Sequence, residues 1–135
     1  MNKKMFFLVI FLVGYMGFAL AQDAADKKAS PSLKFSSTAC DPGLEAFDRR
    51  SRVPESIIST DWVSEKELSV VAYVRTYCSK VEMTGDYEIN GNTLILKYRI
   101  TWGDAFSRCM CAHKLVYDLT GIEKKDYNVT IERVR

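Results

Sequence analysis

Leu68-Ser69-Val70-Val71-Ala72-Tyr73-Val74-Arg75-Thr76-Tyr77-Cys78 has a two-residue rhythm: Leu68, Val70, Ala72, Val74, Thr76 and Cys78 share one side, while Ser69, Val71, Tyr73, Arg75 and Tyr77 share the other. Successive side chains of a strand point to opposite faces, so the pattern predicts a strand with one face on a core. The rhythm recurs four times downstream. Val81, Met83, Gly85, Tyr87 and Ile89 oppose Lys80, Glu82, Thr84, Asp86 and Glu88. Leu94, Leu96, Tyr98, Ile100 and Trp102 then oppose Lys97 and Arg99. Cys109, Cys111, His113, Leu115, Tyr117 and Leu119 share the next face, and Tyr127, Val129 and Ile131 the last. Asn90-Gly91 between the second and third segments is a strong hairpin signal, because both residues tolerate positive φ. Half-polar strands of this kind belong to antiparallel sheets, and the expected fold is an all-β antiparallel β-sandwich.

Upstream the signals weaken. Leu33–Ser37 is a candidate short strand, and residues 38–66 read as irregular, with turn signals at Asp41-Pro42-Gly43 and at Pro54. Short helical turns are expected within 43–66, over Gly43–Arg50 and around Trp62. Residues 22–32 are small and charged, without periodicity, and form a lead-in to a single domain over 33–135. No internal repeat is present.

Met1–Leu20 sets Lys3 and Lys4 ahead of an apolar run that ends at Ala19-Leu20-Ala21. This is the pattern of a secretory signal peptide over 1–21. The run is short for a bilayer span and is interrupted by Gly14 and Gly17. An exported protein, periplasmic or extracellular, is expected. Removing Lys3 and Lys4 from the 19 basic side chains leaves them balanced against 17 acidic ones. A neutral chain has no electrostatic affinity for nucleic acid or anionic lipid. With 27% charged and 47% hydrophobic residues in 135, the composition is that of a folded domain and excludes disorder and a polytopic membrane protein.

Export governs the cysteines. Cys40, Cys78, Cys109 and Cys111 form an even set, which in an oxidising compartment reads as disulfides. If the five strands are successive antiparallel neighbours, the first ends at the pole where the fourth begins. Parity then aims Cys78, Cys109 and Cys111 into one end of the core, with His113 one pleat deeper and Cys40 free to join. Cys109 and Cys111 lie two strand rises apart, about 6.5–7 Å, with parallel side chains. That geometry disfavours a bond between them. Each is expected to pair with Cys40 or Cys78, and both connectivities stay open. The rival is a Cu(I) or Zn(II) site at Cys78, Cys109, Cys111 and His113, since thiolates and imidazole suit both ions. Against it, a rigid strand splays neighbouring thiols. No Cys-x-x-Cys suggests a redox pair.

Other chemistry is sparse. His113 is the only histidine, and a lone histidine on an apolar face reads as a hydrogen-bonded core residue. No Gly-x-Ser-x-Gly elbow and no phosphate-cradling glycine loop occur, so neither a catalytic constellation nor a cofactor is expected. Tyr73, Arg75 and Tyr77 line the outward face of the first strand, and Arg99 with Lys97 is expected to extend that patch. Interleaved aromatics and arginine suit contact with a protein or a carbohydrate. Asn128-Val129-Thr130 is a glycosylation sequon.

Tyr117-Asp118-Leu119-Thr120-Gly121-Ile122 followed by Tyr127-Asn128-Val129-Thr130-Ile131 resembles the corner between two strands of fibronectin type III and related immunoglobulin-like sandwiches. The resemblance implies an immunoglobulin-like or related Greek-key order, a turn at Gly121, and a Tyr127 hydroxyl bonded back to the backbone. The second half is also similar to small exported bacterial domains with a Cys-x-Cys strand, which implies no activity. The combined expectation is an exported, non-enzymatic, disulfide-stabilised binding or structural module of the cell envelope.

Overall fold

A strand that is apolar on one side only must bury that side against another layer, and this chain does so by stacking two open sheets. The computed structural model describes residues 30–41, 55–103 and 109–135. Its strands are β1 (Ser32–Ser37), β2 (Glu55–Ser64), β3 (Glu67–Tyr77), β4 (Val81–Asn90), β5 (Thr93–Trp102), β6 (Met110–Thr120) and β7 (Asn128–Arg133). One sheet runs β1-β6-β3-β2 and the other β4-β5-β7. The fold is a β-sandwich.

The core follows the sequence rhythm. Leu68, Val70, Ala72 and Val74 of β3 and Leu115, Tyr117 and Leu119 of β6 face Leu94, Leu96 and Tyr98 of β5, with Ile122 joining them. Full burial of each large aliphatic side chain contributes roughly 1.5–3 kcal/mol, so these three strands dominate the stability. The polar tips of the buried rings are satisfied: Tyr117 Oη–H donates to Lys97 O at 2.9 Å, and Tyr98 Oη–H donates to Glu55 Oε1 at 2.6 Å. At the centre of β4, Gly85 leaves room for the Phe35 ring of β1 where the two sheets meet.

Four expectations change. First, residues around Trp62 form β2 rather than a helical turn. Its register slips between Ile57 and Ser59 and again between Trp62 and Ser64, so bulges break the alternation that would have marked a strand. The other expected turn, over 43–50, lies outside the described residues, as do the signal peptide and most of the lead-in. Second, the later strands are not successive neighbours. β3 and β6 pair directly and antiparallel, whereas β4 and β5 occupy the second sheet. Third, one pair is parallel: β7 runs alongside β5 from Thr93↔Asn128 to Tyr98↔Arg133. The chain crosses between sheets after Gly121 and enters β7 beside the start of β5, where Asn128 N–H donates to Asn92 O at 2.8 Å. Fourth, the hairpin forms at Asn90-Gly91, but Gly91 takes positive φ, 58°, and among the described residues no non-glycine residue does. Asn90 instead closes the last strand pair, with Thr93, so Gly91 leads a turn of the II′ kind.

Tyr127 Oη–H donates to Glu123 O at 3.0 Å in an exposed position, and its ring stacks on Trp62 with centroids 6.2 Å apart. Gly121 also has positive φ, 78°, and its N–H donates to Lys66 O at 2.8 Å, tying the corner to the β2–β3 turn.

Candidate functional site

Chemistry gathers at the pole where β3 ends and β6 begins. The last register pair there is Tyr77↔Met110. One residue beyond it on each chain, Cys78 N–H donates to Cys109 O at 2.9 Å, and the two side chains form a disulfide with Cα atoms 5.3 Å apart. The second disulfide joins Cys40 to Cys111 across 5.6 Å. Cys40 is brought there because the chain after β1 continues along β6: Thr38 N–H donates to Lys114 O at 3.0 Å, and Asp41 bridges Ala112.

All four cysteines are therefore oxidised, in one of the two open connectivities, and Cys109 and Cys111 are not joined to each other. Their placement differs from expectation in one respect. Cys111 is buried on the core face of β6, but Cys109 is exposed. The strand starts at Met110, so the two-residue rhythm does not govern residue 109. Ala112, of the opposite parity, is also buried, where Asp41 bridges it.

The sulfur grouping shifts accordingly. Sγ of Cys40, Cys78 and Cys111 all lie within 4.8 Å of one another, so Cys40 takes the place expected for Cys109. The two disulfides are neighbours in space rather than separate staples. His113 adjoins them, only 3% exposed. Its Nδ1 lies 2.9 Å from Thr38 O, and a carbonyl only accepts, so Nδ1 carries the proton. Its Nε2 lies 3.0 Å from the Thr76 hydroxyl, which is equally close to Tyr77 O and can donate its one proton to either. Cys111 Sγ stands 3.8 Å from Nε2 and 3.7 Å from Thr76 Oγ1. His113 is thus held from both sides at a sulfur cluster. Thr76 was visible in the sequence as the one hydroxyl in an apolar row, but nothing local marked Thr38 as its counterpart.

The expected aromatic patch divides. Tyr73, Arg75 and Tyr77 lie on the outer face of β3, whereas Arg99 lies on β5 in the other sheet. Both strands turn their even-numbered residues into the shared core, so their odd-numbered residues look away from each other. Arg99 and Lys97 cannot extend the Tyr73 patch. Lys97 Nζ instead pairs with Glu88 at 2.5 Å. Hydrogen bonds from Lys97 and Asn90 hold the Glu88 carboxyl below its usual range, and the bond to Glu88 holds Lys97 above its own. What joins Tyr77 is its cross-strand partner Met110; the two are 50% and 47% exposed beside the outer disulfide. A separate groove of about 380 Å³ lies on the other sheet, lined by Thr84, Asp86, Lys97, Arg99 and Val134 among others. Among the described residues no helix is long and apolar enough to cross a membrane.

Comparison with family models, curated proteins and solved structures finds no match.

Proposed function

We propose that this chain is an exported, non-enzymatic β-sandwich of the cell envelope. It binds a protein or carbohydrate partner through the outer face of its four-stranded sheet. The observation that carries export is the pair of disulfides, which persist in an oxidising compartment and not in a reducing one. The binding face is supported by Tyr77 and Met110, large side chains standing out together on a strand pair whose other face is core. An immunoglobulin-like assignment is part of the reading. Sheets of four and three strands and the Tyr127 corner bond support it, while the parallel β5–β7 pair departs from it.

Two measurements test this. Intact mass of the protein recovered from an oxidising compartment is expected to begin at Gln22 and to show no alkylatable thiol before reduction. Retention of Lys3 and Lys4 with four free thiols overturns export. A photo-crosslinking residue at position 77 is expected to capture a partner in exporting cells, and one at position 99 is not. The reverse result overturns the assigned face.

A second reading has its own observation, the grouping of three sulfurs beside a histidine whose other nitrogen is bonded to a backbone carbonyl. That is the outer-shell arrangement of a metal-ligating imidazole. In fully reduced protein, Cys40, Cys78, Cys111 and His113 would hold one Cu(I) or Zn(II). Stoichiometric Zn(II) uptake that survives Cys109→Ser and is lost in Cys40→Ser supports it, and no uptake by the reduced protein removes it.

A further inference from the structure

The two disulfides lie side by side at one pole. Here one sulfur of the outer bridge, Cys78 Sγ, lies within 4.8 Å of both sulfurs of the inner bridge. Access is graded in the same direction: Cys109 is exposed, Cys78 and Cys40 are half-buried, and Cys111 is 4% exposed. We infer that the pole is a thiol–disulfide exchange relay, in which an external thiol opens Cys78–Cys109 and Cys78 then displaces Cys111 from Cys40.

The steps balance as follows. An external thiolate attacks exposed Cys109 Sγ; a mixed disulfide forms there, the Cys78–Cys109 bond breaks, and its electron pair leaves on Cys78. Cys78 thiolate attacks Cys40 Sγ, forming Cys40–Cys78 and breaking Cys40–Cys111, with the electron pair leaving on Cys111. A second external thiolate resolves the mixed disulfide at Cys109. Two external thiols become one external disulfide. Their two protons end on Cys109 and Cys111, and the protein keeps one bridge in place of two.

The surroundings of Cys111 set the direction. A departing thiolate there lies 3.7 Å from the Thr76 hydroxyl, whose one proton can turn to it from Nε2 or Tyr77 O. Once protonated, its S–H finds an acceptor in His113 Nε2 at 3.8 Å, because the proton of that ring is committed to Thr38 O. Cys111 is therefore the sulfur best prepared to leave, which makes Cys40 the one attacked. Thr76 and His113 are positioning residues in this scheme. Their placement gives a purpose to two buried polar side chains in an otherwise apolar row.

The experiment uses the full-length secreted protein and dithiothreitol in limiting amount, with rapid alkylation and non-reducing peptide mapping. The expected intermediate has Cys40 linked to Cys78 and both Cys109 and Cys111 alkylated. Loss of Cys78–Cys109 with Cys40–Cys111 intact throughout overturns the relay. A Cys78–Cys111 link with Cys40 alkylated also overturns it, because the leaving sulfur would be the wrong one. Cys109→Ser gives an independent check without added thiol. Oxidised folding of this variant is expected to populate Cys40–Cys78 with Cys111 free, and exclusive recovery of Cys40–Cys111 with Cys78 free counts against the relay. In Thr76→Val the Cys40–Cys78 intermediate is expected to fall several-fold in yield, while the opening of the exposed bridge proceeds unchanged.

Discussion

Replacing Gly85 with alanine pits two opposing effects of known size. Glycine inside a strand costs about 0.5–1 kcal/mol relative to alanine, so on backbone entropy alone the change should stabilise. Space decides otherwise. A Cβ at position 85 would sit 2.7 Å from Phe35 Cε2 and nearer still to two other atoms of that ring. The ring cannot simply slide away, because it is held edge-on against Tyr117 at a centroid distance of 5.0 Å. Tyr117 is in turn anchored by its hydroxyl bond to Lys97 O. Overpacking of this kind costs about 1–3 kcal/mol, which exceeds the entropic gain. Gly85→Ala is therefore expected to lose about 1–2 kcal/mol, read as a lower urea midpoint at unchanged slope. In a Phe35→Leu background, with the ring edge gone, the same alanine should be neutral or stabilising. The coupling between the two sites should reach at least about 1 kcal/mol. Additive effects, or a stabilising Gly85→Ala in the parent, would refute the steric account.

The bridges are nested, which sets their separate contributions. Cys40–Cys111 spans 71 residues, of which Cys78–Cys109 already closes 31. Loop-entropy reasoning gives roughly 4 kcal/mol for losing the wider bridge and roughly 3 for losing the narrower while the other remains. Chemical denaturation of oxidised Cys40→Ser/Cys111→Ala and Cys78→Ser/Cys109→Ser proteins checks this, and midpoints equal to the parent would contradict it. Alkaline pH should unfold the domain. Burial raises the Tyr98 and Tyr117 hydroxyls above the usual tyrosine range, and the Glu55 carboxylate adds to the effect at Tyr98. Raised values mean that their contribution is complete below about pH 10 and is lost as pH climbs through the folded-state values. Tyrosinate absorbance should show both ionising only with unfolding; ionisation near pH 10 in the folded state would contradict their burial. Tyr127→Phe should cost at most about 1 kcal/mol, since its bond to Glu123 O is exposed. A loss several times larger in thermal unfolding would mean that the corner does more than that bond.

Most of the core was readable because burial in a strand is a local, alternating property. Leu68 to Val74, Leu94 to Tyr98 and Leu115 to Leu119 carry it without interruption, and with Ile122 they supply the core cluster. β2 escaped because two bulges shift its parity and because Ser59, Thr60 and Asp61 dilute its apolar content. Strand order was invisible for a different reason. The parallel pairing of β5 with β7 depends on which sheet the chain enters after Gly121, and no residue there records the destination. The site was half legible: parity located Cys111 and His113, and strand geometry excluded a bond between Cys109 and Cys111. The nearness of Cys40 was not, because it depends on β1 pairing with β6 some eighty residues downstream. That pairing also brings Thr38 to His113.

Because Cys40–Cys111 encloses Cys78–Cys109, both covalent ties span the middle of the chain. A protease that nicked the backbone anywhere between residues 40 and 111 would release no piece of the protein. The fragments would stay roped together, and the damage would be invisible on a gel run without reductant. Only after reduction would the molecule fall into parts, so its resistance to proteases is set as much by the ambient thiol supply as by how readily its peptide bonds are cut.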